Sequence, residues 1–75
     1  MRKLGDVTRT AQGLAIVRSP GDDYPNLGTA VVDEQLDDVG RVVDVFGPVE
    51  RPYLAVSPAD DVPLASLVGS RLYAR

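Results

Sequence analysis

The sequence predicts an all-β fold, a small six-stranded closed barrel, on three observations. Gly and Pro recur at short intervals, and the segments between them are rich in Val, Leu, Ile, Tyr and Thr, the pattern of short strands joined by turns. The chain has 75 residues, room for one domain (1–75) near the lower size limit for a self-supporting core. Six short strands at that length cannot furnish two generous sheets, whereas closing one antiparallel sheet buries more per residue and removes its edges. Cysteine is absent, so neither disulfides nor thiolate metal sites staple the fold. Stability must then come from an efficiently closed core, from a partner, or from both.

In chain order, the first strand is expected over Leu4–Thr10 and the second over Leu14–Arg18, with the turn Ala11-Gln12-Gly13 making them a hairpin. In the second strand Leu14 and Ile16 share one face. A long loop from Ser19 to Gly28 follows, rich in Pro, Gly, Asp and Asn, and is the segment expected to be most mobile. Further strands are read at Thr29–Asp33, Val39–Phe46, Tyr53–Ser57 and Arg71–Tyr73, with Leu54 and Val56 on one face of the fifth. Between the last two, Asp60–Gly69 is long enough for a single helical or 3₁₀ turn. Asp61 would cap it, Pro63 would start it, Leu64, Leu67 and Val68 would face inward, and Gly69 would stop it.

The fourth strand breaks simple alternation. One face carries Val39, Arg41, Val43 and Val45, the other Gly40, Val42, Asp44 and Phe46, and both are largely apolar. A barrel strand buries only one face internally, so the second needs a cover. That cover is either the Asp60–Gly69 segment or a protein partner, and the apolar loop that follows favours the partner. This loop, Gly47-Pro48-Val49-Glu50-Arg51-Pro52, is longer than most hairpin connections and lacks their usual Asn, Asp or Gly centre. Phe46 leads in, Val49 sits mid-loop, Tyr53 leads out, and two prolines stiffen the path.

Net charge is −3, and no two of the eight basic residues are adjacent apart from Arg2 and Lys3. That argues against a surface that tracks phosphates. The charges comprise seven Arg to one Lys and nine Asp to two Glu. Two readings fit: a shell hydrated in concentrated salt, as in a salt-loving archaeon, or a GC-rich genome; the preference for Asp over Glu favours the former. No apolar run exceeds four residues, against about 20 for a membrane helix. Arg2-Lys3 is followed by no apolar stretch that would make a signal peptide. A soluble cytoplasmic protein is therefore expected, which the absence of Cys also fits.

Catalytic chemistry is missing. Without His there is no imidazole base and no histidine metal site. None of Ser19, Ser57, Ser66 and Ser70 stands in a Gly-x-Ser-x-Gly turn, and no phosphate-cradling Gly-Lys loop occurs. The pairs Asp22-Asp23, Asp33-Glu34, Asp37-Asp38 and Asp60-Asp61 read as solvated charge rather than a hard-cation site. Neither an enzyme nor a cofactor or metal site is expected.

Val31-Val32-Asp33, Leu36, Val39-Gly40, Val43, Asp44, Phe46-Gly47-Pro48-Val49 and Pro52-Tyr53 resemble the core of the small barrel protein of box H/ACA ribonucleoproteins. The resemblance runs from Leu4-Gly5 to Tyr73, is strongest from Val31 to Pro58, and fits the tail-less archaeal form. It implies a barrel like the second domain of translation elongation factors. It further implies a non-catalytic accessory subunit of the RNA-guided pseudouridine synthase complex, acting in rRNA pseudouridylation and ribosome biogenesis. Such a subunit binds the dyskerin-like catalytic subunit, meets guide and substrate RNA only through the complex, and assists substrate loading and product release. On this reading Phe46, Val49 and Tyr53 supply apolar contact area, Gly47 permits close approach or positive φ, and Pro48 and Pro52 fix the loop before binding. A well-packed barrel corner is the alternative use of the same residues, and the two are compatible. The PRC-type barrel of ribosome-maturation proteins, an adaptor for a ribosomal protein, shares the Gly40-x-Val42-x-Asp44-Val45 pattern but not the Pro-flanked aromatic loop. An oligonucleotide-binding barrel is disfavoured by acidity and by few aromatic residues.

Overall fold

In the computed structural model, which describes residues 2–75, six antiparallel strands close into a barrel. They are β1 (Arg2–Ala11), β2 (Leu14–Arg18), β3 (Ala30–Val32), β4 (Asp38–Phe46), β5 (Tyr53–Pro58) and β6 (Arg71–Ala74), in the spatial order β1-β2-β5-β4-β3-β6. All six expected strands form. β3 is shorter than its sequence pattern, β1 runs three residues longer, and β4, β5 and β6 run one residue longer each. No helix among the described residues is long and apolar enough to cross a membrane.

Valine dominates the interior. Val17, Val31, Val42 and Val56 are completely buried with Leu54 and Leu72, β-branched side chains that pack well on a pleated surface. Leu54 and Val56 point inward as their alternation predicts. In β2, however, the interior face is Ala15 and Val17. Ile16, which the sequence pairs with Leu14, lies on the other face beside Ala55, its register partner, and is buried there at 4 % exposure. All three central residues of β2 are buried, so alternation of polarity could not reveal which face is inside.

The first hairpin is tight. Ala11 pairs with Leu14, leaving Gln12 (φ +53°) and Gly13 (φ +79°) as a two-residue loop. Positive φ at both central positions is the type I′ geometry, which matches strand twist and favours Asn-Gly. Gln12 therefore sits in a conformation that Asn tolerates better. Gln12→Asn is expected to stabilise the fold by about 0.5 kcal/mol, raising Tm by about 3 °C. Thermal unfolding followed by circular dichroism checks this, and a lowered Tm would refute the turn assignment.

Two bulges explain the odd pattern of β4. The register slips opposite Val31/Val32 and again between Val42 and Asp44. Each extra residue resets the alternation, so Val39 and Val42 are both buried although three positions apart. The two faces read from simple alternation are thus corrected: Val39, Val42 and half-buried Val45 turn inward, while Arg41, Val43, Asp44 and Phe46 turn outward.

A 3₁₀ turn forms at Leu64–Leu67, as the Asp60–Gly69 pattern suggests, but its details differ. Pro63, not Asp61, precedes it, and no side chain caps it. Leu67 is buried and Leu64 packs against the core, whereas Val68 is 51 % exposed. A single 3₁₀ turn repeats every three residues and brings Leu64 and Leu67 to one side, leaving Val68 out. This segment closes an end of the barrel against β1 and β2; it does not cover the outer face of β4, where Val43 and Phe46 remain 44 % and 38 % exposed.

Candidate functional site

The β4–β5 corner is built from both ends inward. Phe46 and Tyr53 are register partners, and their rings stack with centroids 5.6 Å apart and planes 19° off parallel, within the range where aromatic pairs attract. Gly47 has φ +91°, and a Cβ there would lie 2.9 Å from Cδ2 of Tyr53. Its absence gives the tyrosine ring its seat. Gly47 thus has the positive φ that only glycine adopts freely, and its missing Cβ leaves room for the Tyr53 ring.

Past Gly47 the chain makes a turn in which the Arg51 amide donates to the Pro48 carbonyl (3.2 Å), with Val49 and Glu50 at the tip. Pro48 is exposed, and Val49 is the most exposed large hydrophobic residue described, at 83 %. Pro52, by contrast, is buried, and its carbonyl accepts from the Ser19 amide at 3.0 Å. The loop is thus divided. Pro52, with the half-buried Tyr53, forms a packed corner, while Pro48 and Val49 stand in solvent on a turn with a fixed base.

Sequence reading missed the residues that hold this base from β2. The Arg51 guanidinium donates from Nε to the Ser19 carbonyl (2.9 Å), and buried Ser19 donates from Oγ to the Gly21 carbonyl (2.8 Å). Arg18 lies over the Tyr53 ring, 4.7 Å from its centroid, and its Nη1 donates to the phenolic oxygen at 2.8 Å. Arg18 and Tyr53 are 35 residues apart, so no local motif links them; only the β2–β5 pairing brings them together.

The apolar surface continues along the outer face of β4. Phe46 and Val43 both turn outward there, and Val43 borders a shallow groove with Ala30, Arg41, Pro58 and Arg75. No group of three or more His, Cys, Asp or Glu side chains among the described residues is placed to hold a metal. What this corner offers is rigid apolar contact area.

The whole chain, residues 1–75, matches the family described as "Gar1/Naf1 RNA binding region". It is also similar to an uncharacterized protein of the archaeon Methanothermobacter thermautotrophicus, with 31 % identity over 77 aligned residues that span 97 % of this chain and 82 % of the relative. With a six-stranded barrel and a match that leaves no part of it out, the chain belongs to the Gar1/Naf1 family, non-catalytic accessory proteins of box H/ACA ribonucleoproteins with an RNA-related role.

Proposed function

We propose that this protein is the accessory subunit of the RNA-guided pseudouridine synthase complex, docking on the dyskerin-like catalytic subunit through Phe46, Pro48 and Val49, with Gly47, Pro52 and Tyr53 shaping the corner that presents them. The observation that carries the reading is a turn with its base pinned to β2 and its apolar tip, Val49, 83 % exposed. A folded core gains nothing from an apolar tip in water. A partner that desolvates it gains apolar area without the cost of ordering a floppy loop. In this role the subunit biases substrate loading and product release through the synthase, and guide and substrate RNA are reached only through the complex.

The charges support indirect contact with RNA. Arg2, Arg71 and Arg75 face Asp23, Asp6 and Asp38 at 3.7, 3.3 and 2.5 Å. Arg41 donates to the Gly28 carbonyl, Arg51 to the Ser19 carbonyl, and Arg18 to Tyr53. Six of the eight basic residues are thus engaged within the fold rather than arrayed for phosphates.

Affinity capture from the source lysate at high salt, with mass spectrometry, tests the assignment. A pseudouridine synthase should be recovered, whereas a ribosomal protein in its place would point to the ribosome-maturation adaptor. The purified chain should leave a uridine-containing RNA unmodified and should not shift it at micromolar protein, since its non-specific affinity is expected to be no better than roughly 10⁻⁴ M. Pseudouridine formed by the chain alone would overturn the accessory role.

A further inference from the structure

We infer that Arg18 is a positioning residue for the docking corner: through Tyr53 it sets the Phe46 ring that the partner meets. This rests on the docking reading above and adds to it a residue outside the loop. Arg18, Tyr53 and Phe46 occupy one row across three neighbouring strands, Arg18 pairing with Tyr53 between β2 and β5, and Tyr53 with Phe46 between β5 and β4. Tyr53 is the middle member, so Arg18 and Phe46 bear on it from opposite sides. The guanidinium fixes it twice, by lying 4.7 Å from the ring centroid and by the 2.8 Å hydrogen bond to its hydroxyl. One contact restrains ring tilt and the other ring rotation. Only a planar group with several donors makes both at once, which an ammonium cannot do.

The same side chain carries a defect. Arg18 Nε is buried and has no acceptor, and a buried N–H without a partner is destabilising. Folding stability alone would favour a shorter or apolar residue there. Placing the guanidinium on Tyr53 leaves that nitrogen unsatisfied, so the geometry of the corner accounts for Arg18 better than its contribution to the core. The neighbouring Ser19 ties the same end of β2 to Pro52 and Arg51. The end of β2 therefore holds the loop by its backbone and the aromatic pair by Arg18.

The test compares Arg18→Lys and Arg18→Met with Phe46→Ala, using the full chain and its cognate pseudouridine synthase. Proton NMR of the free protein reads the Phe46 ring shifts, which stacking on Tyr53 displaces, and calorimetry reads affinity. Both Arg18 variants are expected to lose the displaced shifts and to bind about tenfold more weakly, with Tm nearly unchanged. A merely structural role would lower Tm and leave the Phe46 shifts of the folded fraction in place, and that outcome would overturn the inference. Should Arg18→Met fold poorly, Arg18→Lys, which keeps stem and charge, decides alone. Full affinity in the Arg18 variants beside lost affinity in Phe46→Ala overturns this inference only. Full affinity in all three overturns the docking reading, and this inference with it.

Discussion

Val49→Asp is expected to abolish association with the synthase, by about 100-fold or more, while moving Tm by no more than about 3 °C. Val49 is 83 % exposed at the tip of the turn closed by Pro48 and Arg51, so in the free protein the new carboxylate sits in water. Substitutions at such positions stay within about 0.5 kcal/mol of neutral, which sets the small thermal effect for a domain of this size. In the docked state the same carboxylate would be stripped of water against an apolar surface with no counter-charge, and that costs several kcal/mol. Neighbouring Glu50 adds a like charge. Differential scanning calorimetry and co-purification, measured on the same preparation, separate the two effects. Lost binding at unchanged Tm places Val49 in the interface. An intact complex at unchanged Tm would remove the turn tip from both core and interface, and the site assignment would fail.

The barrel was legible because its information is local: breakers bound each strand, and in β5 side-chain size, Leu54 and Val56 against Ala55, names the inner face although all three are buried. Alternation failed where that information is not local. In β2 every central residue is buried, so polarity carries no phase; in β4 two bulges shift the phase, and a bulge is a property of the pairing rather than of one strand. The β4–β5 corner was half legible. Phe46, Val49 and Tyr53 stand out as apolar residues spent on a turn, and Pro48 and Pro52 as stiffeners. Which of them lie in solvent did not follow, since Pro52 is buried while Pro48, of the same type and four residues earlier, is exposed. Arg18, Ser19 and Arg51 were invisible as a group, because their contacts cross strands 32 and 35 residues apart in sequence.

Eight of the nine Asp residues are exposed and Asp33 is half-buried, the usual placement of carboxylates in a globular fold. Asp33 spends its carboxylate on its own turn, accepting from the amides of Gln35 and Asp37 at 2.8 and 3.0 Å. That turn, from Asp33 to Asp38, lies at the start of β4 and the aromatic loop at its end. Nine residues of strand separate them by about 3.3 Å per residue. Four of the eleven acids, Asp33, Glu34, Asp37 and Asp38, therefore lie at the far end of β4 from the β4–β5 corner, whose own acids are Asp44 and Glu50.

Gly40→Ala is expected to be among the most damaging single-atom changes in the barrel, matched by Gly5→Ala, where a Cβ would stand 2.1 Å from the Arg18 carbonyl oxygen at φ +136°. Gly40 lies between the two bulges of β4, pairing with Val31 on one side and Pro58 on the other. A Cβ at this position would stand 1.9 Å from the Ser57 carbonyl oxygen and 2.8 Å from its carbon. Those atoms are backbone in a strand paired on both sides, so no rotamer change relieves the clash. β4 and β5 would have to part, straining the bond from the Ala59 amide to the Val39 carbonyl (2.7 Å) and opening the packing beneath Val39 and Val56. We expect a loss of about 3 kcal/mol or more. Against a total stability on the order of 5 kcal/mol for a chain this short, that lowers Tm by about 12 °C or more. Two other glycines calibrate the measurement. Gly21→Ala meets no atom within 4 Å at ordinary φ and should be near neutral. Gly69→Ala meets none either but sits at φ +87°, and should cost about 1 kcal/mol through left-handed strain alone. Calorimetric unfolding of the three variants should rank them Gly40, Gly69, Gly21 in order of damage. A Gly40→Ala protein that melts with the parent would show that β4 and β5 yield at this point, and that the close approach there is not what closes the barrel.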